Sequence, residues 1–130
     1  MIMRVEYREG LLFVTISVTY KEKTKLIDSI VIDTGASNSI ISSDVVEDLG
    51  IVFTPGDPVV ISYGVGGKQY AFVKKVDRVA FGSFSISDYS IDFGLIDPDN
   101  KINGLLGLDL LMQAGAILDL KNLRLYFNEG

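Results

Sequence analysis

The chemistry in this chain starts where a β-branched run, Ile30-Val31-Ile32, ends on a carboxylate, Asp33, and continues through Thr34, Gly35, Ala36 and Ser37. A carboxylate set against core-forming residues is costly unless something pairs with it, so its position calls for a partner. The 130 residues contain no histidine and no cysteine. That removes Ser–His and Cys–His catalysis, imidazole and thiolate metal ligands, and disulfide staples. Hydrolytic chemistry is left to carboxylates, lysine, tyrosine, hydroxyls or an oxygen-held metal. Neither a metal site nor a cofactor is expected.

Two further stretches carry candidate site residues. Tyr63-Gly64-Val65-Gly66-Gly67-Lys68 is a glycine-dense turn. Its Gly-Gly-Lys resembles a phosphate loop only superficially, because GxxxxGK[ST] needs Gly at 62 and Ser or Thr at 69, where the chain has Ser62 and Gln69. It reads instead as a hairpin tip able to close over a bound molecule, the plainer alternative being an ordinary tight turn. The other stretch, Ile102-Asn103-Gly104-Leu105-Leu106-Gly107-Leu108-Asp109, reads as a strand, a glycine turn and a short helix with Asp109 as its N-cap.

The elements that must hold these residues are mostly strands. Leu11–Tyr20 alternates, with Leu12, Val14, Ile16 and Val18 on one face, and the polar turn at residues 21–24 returns it as a strand over Lys25–Asp33. A short helix within residues 39–50 is expected, capped by Ser42 or Ser43 and closed by Gly50. Pro55, Gly56 and Pro58 break the chain before an extended run, Val59–Tyr63. Two strands, a turn at residues 97–100, a second short helix ending at Gly115 and a C-terminal hairpin complete the reading. The fold class is all-β, a small closed barrel with one or two short helices in one domain over residues 1–130. Residues 30–50 and 102–115 share the order strand, small-residue turn, short helix, glycine, which suggests a pseudo-twofold unit.

Composition narrows the partners. A net charge of −5 argues against nucleic acid or an anionic membrane. No apolar run reaches the roughly 18–20 residues needed to cross a bilayer. The opening Met1–Gly10 is charged rather than signal-like, so a cytoplasmic location is the expectation.

The pattern Val31-Ile32-Asp33-Thr34-Gly35-Ala36-Ser37 resembles the active-site signature of aspartic proteases. Ile102–Gly115 resembles the second signature of their single-domain, retroviral-type branch, and the glycine-rich tip lies between the two, as the flap does in that family. The resemblance spans about Ile30 to Leu120 and implies the retropepsin fold, a peptide or protein substrate, and an obligate homodimer with one aspartate per chain. Carried over, Asp33 is catalytic, Thr34 bonds across the dimer, and Gly35, Ala36 and Ser37 complete the active-site loop. Tyr63, Gly64, Val65, Gly66 and Gly67 form the flap; Leu105 lines an apolar subsite, Leu106 packs, and Gly107 supports the loop. Ser37 stands where retroviral enzymes have an acid and Leu108 where they have Arg, which points to the cellular and bacterial relatives and leaves the dimer contacts open.

The motif has a physical logic of its own. Hydrolysing a peptide without metal or histidine takes one group to deprotonate water and another to protonate the carbonyl oxygen. Two carboxylates about 3 Å apart do both, because they cannot both ionise. Only one such signature exists in this chain, and its nearest echo, Asp119, lacks the glycine. The second carboxylate is therefore expected from a second copy. Two other readings are a catalytically weak dimer that binds peptides or proteins and, far less compatible with this length, a sugar-kinase or actin-like ATPase.

Overall fold

The computed structural model describes residues 2–64, 67–97, 99 and 101–128. The first ten residues, which lacked an alternating pattern, form two short strands, β1 (Ile2–Arg4) and β2 (Glu6–Arg8). A turn with both Glu9 and Gly10 at positive φ leads into β3 (Leu11–Tyr20), and a second such turn at Lys21 and Glu22 leads into β4 (Lys23–Ile32). Positive φ at both central residues gives the turn the twist of the strands it joins. Val14, Ile16 and Val18 are buried in the main core and Leu12 packs against it, as the alternation implies.

After Asp33 the chain forms β5 (Ile40–Ser42) and then a helix over Ser43–Leu49 that is 3₁₀ rather than α. Ser42 occupies its N-cap but makes no side-chain cap bond, while Gly50 closes it in the left-handed conformation. β6 (Val59–Gly64) and β7 (Gly67–Phe81) form a hairpin, and β8 (Phe84–Gly94) returns along β7. β9 (Gly104–Leu106), α1 (Leu108–Ala114), β10 (Ala116–Asp119) and β11 (Arg124–Phe127) complete the order.

The sheet runs β2-β3-β4-β9-β5-β8-β7-β6, and an additional pairing of β3 with β7 closes β3, β4, β9, β5, β8 and β7 into a barrel. A separate three-stranded sheet, β1-β11-β10, ties the two ends of the chain together. The barrel interior is one apolar core built around Val18, Ile30, Phe93, Leu106 and Leu110. A second cluster, Phe13, Val31, Ile40, Ala71, Ile96, Ile102 and Leu105, lies on the other side of the same strands. Alternation along β4 sends Ile30 to the first cluster and Val31 to the second.

The internal repeat is present in the strand pairing, but in a different register from the one the sequence suggested. β4 pairs in parallel with β9 (Ile30–Ile32 against Gly104–Leu106), and β8 pairs in parallel with β5 (Asp92–Gly94 against Ile40–Ser42). Between them β5 and β9 run antiparallel, Ile40 opposite Leu105 and Ile41 opposite Gly104. One twofold relation satisfies all three pairings: it exchanges residues 30–32 with 92–94 and residues 40–42 with 104–106. The 3₁₀ helix after β5 then matches α1 after β9. β9 is thus the counterpart of β5, not of β4, and the counterpart of Asp33 is Leu95.

Candidate active site

Asp33 leaves the end of β4 with its backbone still in the sheet, its N–H donating to the Leu106 carbonyl at 2.9 Å. Two residues on, the Gly35 N–H donates to Asp33 Oδ1 at 2.9 Å, so the turn folds back onto the carboxylate it follows. A Cβ on Gly35 would stand 3.2 Å from that same oxygen, tighter than most side chains tolerate. The Ala36 N–H donates to the Asp33 carbonyl at 3.2 Å and closes the turn. Asp33 is half-buried, Thr34, Gly35 and Ser37 are exposed, and Ala36 is buried.

A bulge aims this strand end. Opposite β3 the register slips between Val14 and Ile16, so that Asp28 and Ser29 together face Thr15, with Ser29 at positive φ. Asn103 locks the bulge: its N–H donates to the Ser29 carbonyl, and its Nδ2 reaches both the carbonyl and Oδ1 of Asp28. Bulges re-aim the residues that follow them, and here those residues end on Asp33.

The Asp33 loop rests on the second signature. The N–H groups of Leu108 and Asp109 donate to the carbonyls of Ala36 and Ser37, and Gly107 N–H donates to Ser39 Oγ at 2.8 Å. A Cβ on Gly107 would lie 2.7 Å from the Ala36 carbonyl oxygen and 2.9 Å from the Asn38 carbonyl carbon, so only glycine fits beneath the loop.

Asp109 departs from the expected helix cap. The N-cap of α1 is Gly107 in extended conformation, and Asp109 sits in the first turn. Its Oδ1 accepts from both the N–H and the hydroxyl of Ser39, at 2.9 and 2.7 Å, and its Oδ2 accepts from Tyr89 Oη at 2.7 Å. One carboxylate therefore joins β8, α1 and the segment that follows the Asp33 loop. Burial, together with this bond to Asp109, pushes the Tyr89 hydroxyl well above its ordinary value.

A cleft of about 330 Å³ opens beside the loop, bordered by Gly35–Asn38, by Val60 and Ile61 of β6, and by Asp92 of β8. The β6–β7 hairpin thus stands over the Asp33 loop. Its backbone pairs Tyr63 with Lys68 and Gly64 with Gly67; Val65 and Gly66, the expected flap tip, lie outside the described residues. Leu105 is buried in the second apolar cluster and does not border this cleft, while Leu106 is fully buried in the main core.

Sequence reasoning passed over Ser39, Tyr89, Asn38 and Asp92. The first two were invisible because their acceptor lies far along the chain. For Asp92 a signal existed: an acid between Ile91 and Phe93, inside a strand whose apolar residues otherwise continue to Gly94. Its carboxyl is pushed up by burial and by the charge of Asp109. No group of three or more potential metal ligands occurs among the described residues, and no helix there is long and apolar enough to cross a membrane.

The sequence profile of the aspartyl protease family matches residues 16–110, which include the Asp33 loop, the hairpin and the second signature as far as Leu110. Among solved structures, a retropepsin-like aspartic protease from Rickettsia conorii superposes with a TM-score of 0.63 at 23% identity, over 98% of this chain and 89% of its own. The retroviral protease-like domain of Ddi1 from Leishmania major gives a TM-score of 0.61 at 21% identity, over 92% and 90%. No curated protein sequence matches the chain. The fold is retropepsin-like, and the chain belongs to the aspartyl protease family.

Proposed function

We propose that this chain is one half of a homodimeric aspartic endopeptidase whose active site forms only when two copies bring their Asp33 carboxylates together. The observation that carries this reading is the state of Asp33 itself. It sits at a small-residue turn that folds back onto its own carboxylate, beside a cleft. The one ionisable side chain bordering that cleft among the described residues, Asp92, belongs to a different strand, and its carboxyl is perturbed by burial and by Asp109. A single chain therefore offers one carboxylate at the turn. A twofold axis, the commonest symmetry of protein oligomers, supplies the second.

In the dimer the paired carboxyls hold one proton between them, because two charges so close repel, and the titration belongs to the pair. The ionised member takes a proton from water as the water oxygen attacks the peptide carbonyl; the protonated member gives its proton to the carbonyl oxygen. Return of a proton to the amide nitrogen then breaks the C–N bond. The Gly35 N–H bonded to Asp33 Oδ1 keeps each carboxyl in the orientation this transfer requires. The β6–β7 hairpin covers the peptide and excludes bulk water. Peptide and protein chains are the substrate class; nucleic acid and membrane are not.

Mixing separates this reading from the alternatives. Asp33→Asn protein is combined with wild type in increasing proportion, allowed to exchange subunits, and assayed on a peptide library between pH 4 and 7. Activity is expected to follow the square of the wild-type fraction, so an equimolar mixture retains about a quarter of the activity of an all-wild-type sample of equal total concentration. A linear dependence, or cleavage undiminished in the variant alone, defeats the shared site. Saturable peptide binding with no Asp33-dependent cleavage would make the dimer a binding module.

A further inference from the structure

We propose that Asp92 is a specificity-determining residue of the cleft, receiving the ammonium or guanidinium group of a Lys or Arg side chain on the bound peptide. This inference deepens the peptidase reading and rests on the same cleft as its binding site.

Four observations converge on it. Asp92 is fixed by pairing on both sides, to Val73 of β7 and Ile40 of β5, so its backbone is held within the sheet. Its neighbours Ile91 and Phe93 are buried in the main core, and strand alternation turns the Asp92 carboxylate the other way, toward the cleft it borders. It is the only ionisable side chain among the described residues bordering that cleft; Gly35–Asn38, Val60 and Ile61 are neutral. Finally, the local donors are committed elsewhere. Ser39 and Tyr89 donate to Asp109, and Lys74, on the adjoining strand, is bound to Asp57 at 2.9 Å and Thr54 at 3.1 Å.

The result is a partly desolvated carboxylate in a substrate cleft with a second negative charge, Asp109, behind it. Burial and Asp109 both raise the energy of its ionised form. A cation arriving with the substrate relieves both effects and forms a charge-assisted hydrogen bond where water is partly excluded. An acidic side chain at the same position meets repulsion instead, so the site both selects and rejects.

The test measures binding, so that it stands apart from turnover. Fluorescent peptides carrying Lys, norleucine or Glu at one position, scanned along the sequence, are titrated against Asp33→Asn protein and against Asp33→Asn carrying Asp92→Asn or Asp92→Lys. At one position Lys is expected to bind about tenfold more tightly than its uncharged isostere norleucine, with Glu weakest. That ratio should fall to near one with Asp92→Asn and reverse toward Glu with Asp92→Lys. The ratio is internal to each protein, so a change in overall stability or dimer affinity cancels. A flat scan, absence of binding by every peptide, or a Lys preference that survives Asp92→Asn overturns the assignment. Cleavage of the same peptides by protein retaining Asp33 is scored separately: a Lys preference without cleavage keeps Asp92 and removes the peptidase reading.

Discussion

The two halves of the barrel are built alike and finished differently. In the first, β4 runs in parallel beside β9 and ends on Asp33, whose turn folds back through Gly35 onto its own carboxylate. In the second, β8 runs in parallel beside β5 and ends on Leu95, a side chain 64% exposed. The pairing that makes the halves equivalent lies in the backbone, whereas the acid at the strand end stands on one side only. The second half instead lends support: Leu106 holds the Asp33 N–H, Gly107 makes room beneath the loop, and Asp109 ties Ser39 to Tyr89. A duplicated scaffold can thus separate an acid-bearing turn from the shelf that holds it.

The most severe way to break this division is to remove the one acid. Asp33→Asn keeps the shape of the turn and is expected to lower kcat/KM by at least about 10³-fold, as loss of a general acid–base group does. Circular dichroism and thermal melting should remain close to wild type. A fall in activity accompanied by unfolding would instead assign Asp33 a structural role.

Next comes the shelf. Asp109→Ala leaves the Ser39 hydroxyl and N–H and the Tyr89 hydroxyl without their acceptor, and should cost about 2–3 kcal/mol in chemical denaturation. Asp109→Asn retains one acceptor oxygen and should cost less. Gly107→Ala forces a methyl toward the Ala36 carbonyl at 2.7 Å, and about 1–3 kcal/mol is expected as the loop shifts. Because that loop positions Asp33, both substitutions should lower kcat more than they raise KM. Unchanged kcat in a folded Gly107→Ala protein would show that the second half supports the fold but not the chemistry.

How much of this was readable in advance follows the range of the interactions. The acid, its glycine turn, the hairpin and the second glycine turn are local features, written in consecutive residues, and the alternation of β3 correctly predicted its buried face. β1, β2 and β5 were not foreseen, because three-residue strands carry no measurable period; β1 exists only because β11 pairs with it from the far end of the chain. The repeat was visible as a shared order of elements but misaligned, since β9 is matched to β5 by strand pairing, which no local pattern encodes. Asp109 looked like a cap for the same reason: its true partners, Ser39 and Tyr89, lie 70 and 20 residues away.

A milder substitution sharpens the comparison at the equivalent position. Leu95→Asp places a carboxylate where the second half corresponds to Asp33. The side chain is exposed, so stability should change by less than about 0.5 kcal/mol. Combined with Asp33→Asn it should restore no activity. The twofold relation inside the chain relates the strands of the barrel, whereas the proposed dyad requires a twofold relation between chains. Recovery of cleavage by the double variant would mean that the internal axis can assemble an active site.

The smallest expected effect concerns pH and the carboxylate that borders the cleft. Folding raises the Asp92 pKa through burial and the Asp109 charge, so the native protein holds that proton more tightly than the unfolded chain. The sign follows from linkage: stability is gained as pH falls through the raised native value and is complete below the ordinary value of 3.8. Asp92→Asn removes this dependence. The stability of wild type relative to Asp92→Asn should therefore rise on acidification, by a few tenths of a kcal/mol, because water reaching the cleft screens the charges. Denaturant melts of wild type and Asp92→Asn across pH 3–7 would read the difference, and equal pH slopes for the two would mean that Asp92 is solvated like any surface acid.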